Sequence, residues 1–126
     1  MENKAIYTNQ APEAIGPYSQ AIRAGNFVFL SGQIGIDPET QELAEGIDAQ
    51  LEQIFDNLEA VAKAAGGGLS NIVKINLYLT TLDYFLHVND MMENRFSKPF
   101  PARATLGVSS LPRGAMVEVD AIMYLE

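Results

Sequence analysis

Two residues in the last third of the chain have the chemistry of a site. Pro101-Ala102-Arg103-Ala104-Thr105-Leu106 is an apolar, strand-like stretch holding one Arg, and Val117-Glu118-Val119 is a second stretch holding one Glu. A guanidinium drawn partly out of water needs an anion beside it. A carboxyl group that loses water has its proton affinity raised toward the range useful for general acid–base work. The pair therefore suggests a clamp for a small carboxylate next to a group that moves protons. Each residue also has an ordinary explanation. A structural ion pair, within the chain or at a subunit contact, is the commoner reason for an Arg in a strand, and Glu118 is equally well a solvent-facing carboxylate on an edge strand. Asp120 shares the face parity of Glu118 and is a weaker candidate for the same role.

Other polar groups add less. Tyr18, after the Gly16-Pro17 turn, is placed to present a phenol, and Ser31-Gly32 at a strand end offers a hydroxyl and an accessible N–H. His87 is the sole histidine and is expected on the polar surface of a helix. One His and no Cys make neither a zinc site of ordinary composition nor a Ser-His-Asp triad. Gly66-Gly67-Gly68 follows a helical segment and does not precede one, so it reads as a helix stop and not a phosphate loop.

The elements that must position these groups are legible from periodicity. Strands are expected over Lys4–Tyr7, Ser19–Ala24 and Phe27–Leu30, with Gly25-Asn26 as a tight turn and Gly32 and Gly35 marking a bulge or a close backbone approach. From Ile47 to Ala65, Leu51, Ile54, Phe55, Leu58, Val61, Ala62 and Ala65 fall on one helical face, with Asp48 as the expected N-cap. Ile72 to Thr81 alternates Val73, Ile75, Leu77 and Leu79 against Lys74, Asn76, Tyr78 and Thr80, as a half-buried strand does. A second helix after Asp83 carries Phe85, Val88, Met92 and Phe96 at spacings of three and four. Two strands close the chain, Ala102–Ser109 and Met116–Leu125. On the first, alternation separates Ala102, Ala104, Leu106 and Val108 from Arg103, Thr105, Gly107 and Ser109, which predicts that Arg103 projects beside open space on a small, polar face.

The order β-β-β-α-β-α-β-β implies an α+β fold, a mixed sheet with both helices on one face. Apolar residues on the other face then call for a cover from further copies of the chain. At 126 residues, with 48% hydrophobic and 19% charged, the chain fits one domain over residues 1–126 and is too apolar for disorder. No apolar run is long enough for a membrane span, and the first residues lack a signal-peptide pattern. The absence of Cys suits a reducing cytoplasmic setting. A formal charge of −8 with scattered basic residues argues against nucleic acid as a main partner.

Taken together the motifs resemble the reactive-intermediate deaminase family (RidA, also called YjgF). The pieces are Ala14-Ile15-Gly16-Pro17-Tyr18-Ser19, Ser31-Gly32-Gln33-Ile34, Ile72-Val73-Lys74, Val88-Asn89, and Phe100-Pro101-Ala102-Arg103 through Leu111-Pro112 to Val117-Glu118-Val119. The resemblance implies a chorismate-mutase-like fold assembled as a homotrimer, with clefts between subunits. It also implies hydrolysis of reactive enamines and imines, such as 2-aminoacrylate, 2-iminopropanoate and 2-iminobutanoate, to 2-oxo acids and ammonia, without metal or cofactor. By position, Arg103 would bind the substrate carboxylate and Glu118 would position or activate water, while Tyr18, Ser31, Gly32 and Asn89 line the cleft. Thr105 stands where many members have Cys; a contact made by its backbone N–H would survive that change, whereas a thiol mechanism would not. Val119 replaces the more usual Ile or Met, a packing change. Two further readings remain at this point: a non-catalytic sensor of small carboxylates using the same cleft, and a role on RNA, as ribonuclease or translation inhibitor.

Overall fold

The structure, a computed structural model, describes residues 2–126. Six strands, β1 (Lys4–Ile6), β2 (Ala21–Ala24), β3 (Phe27–Gln33), β4 (Ile72–Leu79), β5 (Ala102–Gly107) and β6 (Val117–Tyr124), form one sheet in the order β1-β2-β3-β6-β4-β5. Helices α1 (Ile47–Ala64) and α2 (Phe85–Arg95) complete the expected sequence of elements. Every pairing is antiparallel except β4 with β5. Parallel neighbours need a crossover, and α2 supplies it.

The sheet alternates as a half-buried sheet should. Val117, Val119, Ala121 and Met123 of β6, with Ile75, Leu77 and Leu79 of β4, are buried against the helices. From α1 the predicted stripe of Leu51, Ile54, Phe55, Leu58, Val61 and Ala62 enters the same core, and each large side chain buried this way contributes about 1.5–3 kcal/mol. The opposite sheet face has no cover from the described residues. Phe27 and Phe29 are 44% and 46% exposed, and Leu106 is 51% exposed.

Two local expectations change, and the register settles a third point. Gly46, at φ 88°, is the N-cap of α1, and Asp48 lies inside the first turn, where its carboxylate meets His87 Nδ1 at 2.8 Å. Phe85 is the first residue of α2 and stays partly exposed, because it lies at the sheet margin beyond the core. On β5, Arg103 and Thr105 pair in register with the buried Ile75 and Leu77. The face carrying Arg103 is thus the helix-covered one, while Ala102, Ala104 and Leu106 face outward. Side-chain polarity alone does not say which side of the sheet this face takes; the parallel register with β4 decides it.

The predicted bulge is present: the pairing of β3 with β6 shifts register between Leu30 and Gln33. Both glycines there permit close approach. A Cβ on Gly35 would stand 2.8 Å from Gln50 Cα and O on α1, and one on Gly32 would collide with the Glu118 carboxylate.

Candidate active site

Glu118 sits on β6 facing the uncovered side of the sheet, half-buried at one wall of a cleft of about 620 Å³. The lining includes Tyr18, Ser31, Gly32, Gln33 and Arg113. Its carboxylate lies over Gly32, where the missing side chain leaves room for it. Among the described residues no group donates a hydrogen bond to it. Burial, and then the neighbouring Asp120 carboxylate, raise its proton affinity above that of an ordinary Glu. The geometry is that of a desolvated carboxylate held ready to take a proton.

The loop before β2 supplies Tyr18. Gln20, buried, ties that loop down: its Oε1 accepts from Thr8 N at 2.8 Å, and its Nε2 donates to Thr8 O at 3.0 Å and Pro12 O at 2.8 Å. Ser31 Oγ donates to Ser19 O, so this hydroxyl fixes the loop and keeps only acceptor capacity for a ligand.

Arg103 occupies a second, smaller cleft of about 290 Å³ on the helix side, with Asn89, Met92, Glu93, Phe100 and Pro101. Its guanidinium carbon lies 5.0 Å from the centre of the Phe85 ring, a cation–π contact that orients the group without consuming its N–H donors. The ion pairs among the described residues join Lys63 with Glu59, His87 with Asp48 and Arg95 with Asp56, so Arg103 has no carboxylate partner there. The structural ion pair expected as the commoner role is not found among the described residues of one chain. Thr105 is next on the same face, and its Oγ1 is buried without a hydrogen-bond partner.

The candidate residues thus fall into two groups. Tyr18, Ser31, Gly32 and Glu118 share the larger cleft, and Asn89 and Arg103 share the smaller one. The two lie on opposite faces of the sheet, and the chain alone does not bring Arg103 to Glu118. Sequence reasoning passed over Gln33 and Arg113. Gln33 lines the larger cleft, is only 7% exposed, and makes no side-chain hydrogen bond among the described residues; an amide inside an apolar strand pattern was the available signal. Arg113, at φ 57°, donates from Nη1 to Gln41 O at 3.2 Å on the cleft rim. No cluster of three or more His, Cys, Asp or Glu suited to a metal ion occurs among the described residues, and no helix there is long and apolar enough to cross a membrane.

Comparison with known proteins places these observations. The family described as Endoribonuclease L-PSP matches residues 8–125. A protein of Dermatophagoides farinae named 2-iminobutanoate/2-iminopropanoate deaminase is 44% identical over 98% of this chain and 97% of its own. Protein DfrA of Myxococcus xanthus is 50% identical over 97% and 95% of the two chains. Among solved structures, RidA from an Antarctic Psychrobacter superposes with a TM-score of 0.95 at 48% identity, covering 97% of this chain and 99% of that one. The YjgF gene product of E. coli does so with a TM-score of 0.93 at 38% identity, covering 98% and 99%. A motif set in the right order, a fold matched from end to end and relatives of nearly equal length lead to one conclusion: this chain belongs to the RidA/YjgF family.

Proposed function

We propose that the protein hydrolyses 2-imino acids, and the enamines that tautomerise to them, to 2-oxo acids and ammonia, with Arg103 binding the carboxylate and Glu118 activating water. The observation that carries this reading is complementary incompleteness. A guanidinium without an anion occupies one cleft and a carboxylate without a donor occupies the other. A second copy packed on the uncovered sheet face joins the two halves, and a closed homotrimer repeats that contact so that every half-site is used.

In such a cleft the guanidinium holds the substrate carboxylate bidentately. A protonated imine is already electrophilic, so positioning and proton handling are what the protein must add. Water adds to the iminium carbon as Glu118 takes one of its protons, giving a neutral carbinolamine. The proton passes to the amine nitrogen. The C–N bond then breaks while the hydroxyl proton returns to Glu118, releasing ammonia and the 2-oxo acid. Tyr18, Ser31, Gly32, Asn89 and the Thr105 backbone line the substrate's path. The substrate class is small 2-imino acids, and the cysteine-free chain suits a cytoplasmic compartment. A role on RNA draws less support, because the sole histidine is held by Asp48 outside both clefts and the charge is −8.

The test mixes two inactive variants. Arg103→Ala and Glu118→Gln should each abolish acceleration of 2-oxo acid formation in an assay coupled to an amino-acid dehydratase. Co-refolded one to one, they should recover about a quarter of parent activity, since a cleft then draws its Arg from one variant and its Glu from the other. Recovery of nothing from well-assembled mixtures, or full activity in either variant alone, sinks the proposal.

A further inference from the structure

Beside Glu118, on the same face of β6, Asp120 is gripped by two residues of the adjacent strand. Asn76 Nδ2 donates to Asp120 Oδ1 at 2.8 Å and the Tyr78 hydroxyl donates to Asp120 Oδ2 at 2.9 Å. The register makes the second contact unexpected. Asn76 stands directly opposite Asp120, but Tyr78 stands opposite Glu118. The phenol that could most easily have donated to Glu118 leans diagonally to Asp120 instead. Glu118 is left without a donor, and an anion with both oxygens fixed sits two residues away, roughly 7 Å along the strand.

We propose that the Asn76–Tyr78–Asp120 cluster is a positioning device for the water-activating carboxylate: it fixes a negative charge behind Glu118 and withdraws the Tyr78 hydroxyl, so that the Glu118 carboxylate stays free to take a proton. This rests on the reading of Glu118 given above. A carboxylate that accepts a phenolic hydrogen bond is a weaker base, and one facing a like charge is a stronger one; the cluster secures the second condition and prevents the first. The direction agrees with the proton affinities. Asp120 is the charge that, after burial, raises Glu118, and the bond to Asp120 is the first cause of a raised Tyr78, which keeps that phenol a donor.

The titratable and charged groups facing Glu118 can be named. Asp120 lies on its own strand; Tyr78 lies opposite and Lys74 farther along the same face of β4; Glu13, Tyr18 and Arg113 stand around the cleft, and β3 brings Ser31, Gly32 and Gln33 to it but no charged group. Only Asp120 and Tyr78 are joined to each other on the flank of Glu118.

The experiment is the pH profile of kcat/KM for imine hydrolysis by the assembled protein. Asp120→Asn keeps an acceptor for Tyr78 and removes the charge. Its acid limb should move to lower pH, with a plateau reduced about three-fold because the base is weaker. Asp120→Glu should restore the parent limb. Tyr78→Phe keeps the charge, so its limb should stay at the parent position or move up. An Asp120→Asn limb that stays in place, or Asp120→Asn and Tyr78→Phe limbs that move down together, overturns the proposal. If Asp120→Asn fails to fold, Asp120→Ser is also neutral and hydrogen-bonding and carries the same expectation. Glu118→Gln separates the two ideas. If it retains parent activity, the base assignment fails; if it is inactive while the Asp120→Asn limb is unmoved, only the role of the cluster fails.

Discussion

Gly32→Ala is the sharpest perturbation the geometry offers, because it moves one carboxylate and little else. A Cβ built on Gly32 stands 3.0 Å from Glu118 Cδ and 3.3 Å from Cγ, and closer still to Oε2. Ordinary carbon contacts begin near 3.4 Å, so the carboxylate must retreat by several tenths of an ångström to about 1 Å. No backbone strain accompanies the change, since Gly32 has no positive φ. The colliding atoms are the far end of a flexible side chain, so stability should change by less than about 1 kcal/mol, with the lost freedom of the unfolded glycine offsetting part of the cost. Catalysis should suffer far more. Displacing a reacting group by 1 Å costs on the order of 10²-fold, and it should fall on kcat with KM for the imine little altered, because Arg103 is untouched. The assay is 2-oxo acid release from a dehydratase-generated imine, beside thermal unfolding of the same preparation. A folded Gly32→Ala protein with parent kcat would show that the Glu118 position is immaterial to the chemistry.

Other perturbations follow from the same geometry. Arg103→Lys keeps a charge and loses the planar fork, so kcat/KM should drop by roughly 10²-fold, while calorimetry should show weakened binding of a 2-oxo acid; unaltered binding would dismiss the clamp. Glu118 titrates above an ordinary carboxylate because of burial and Asp120, so kcat/KM should fall on the acid side at a pH above 4.5, the usual Glu value. The stability sign is opposite: a raised carboxyl costs stability when charged, so Glu118→Gln should be more stable than the parent at pH 8, with the difference vanishing as the pH drops below 4.5. Thermal midpoints of the two proteins across that range check the sign. Gly35→Ala pushes a Cβ against the α1 backbone at Gln50, which cannot retreat as a side chain can; a loss of about 1–3 kcal/mol in urea unfolding is expected.

Much of the architecture could be read from periodicity because the core obeys it. The α1 stripe and the alternation of β4 and β6 are one-residue-resolved signals, and the structure buries the residues they select except Val73, which is 46% exposed where the β4–β6 register shifts between Ile72 and Lys74. The Gly32 and Gly35 bulge was legible for a similar reason, since glycines inside a strand pattern need a cause. What sequence could not supply was facing. Arg103 and Glu118 both interrupt apolar strands, and nothing local says that parallel pairing with β4 turns one to the helices while antiparallel pairing turns the other away. The Asp48 cap failed because Gly46 takes the non-helical position two residues earlier, leaving Asp48 to meet His87 across the helices. The larger cleft is also assembled from distant loops, so Gln33 and Arg113 emerge only once the chain is folded.

The place of β5 in the sheet has a consequence for how activity decays. This strand bonds to β4 alone at the margin, whereas β6 lies between β3 and β4. Marginal strands open at lower free energy than central ones, so amides of residues 102–107 should exchange with heavy water before those of 117–124. Arg103 rides on the strand that frays and Glu118 on the strand that persists. As the protein is warmed or mildly denatured, it should lose its grip on the substrate first, with KM climbing while turnover at saturation still holds.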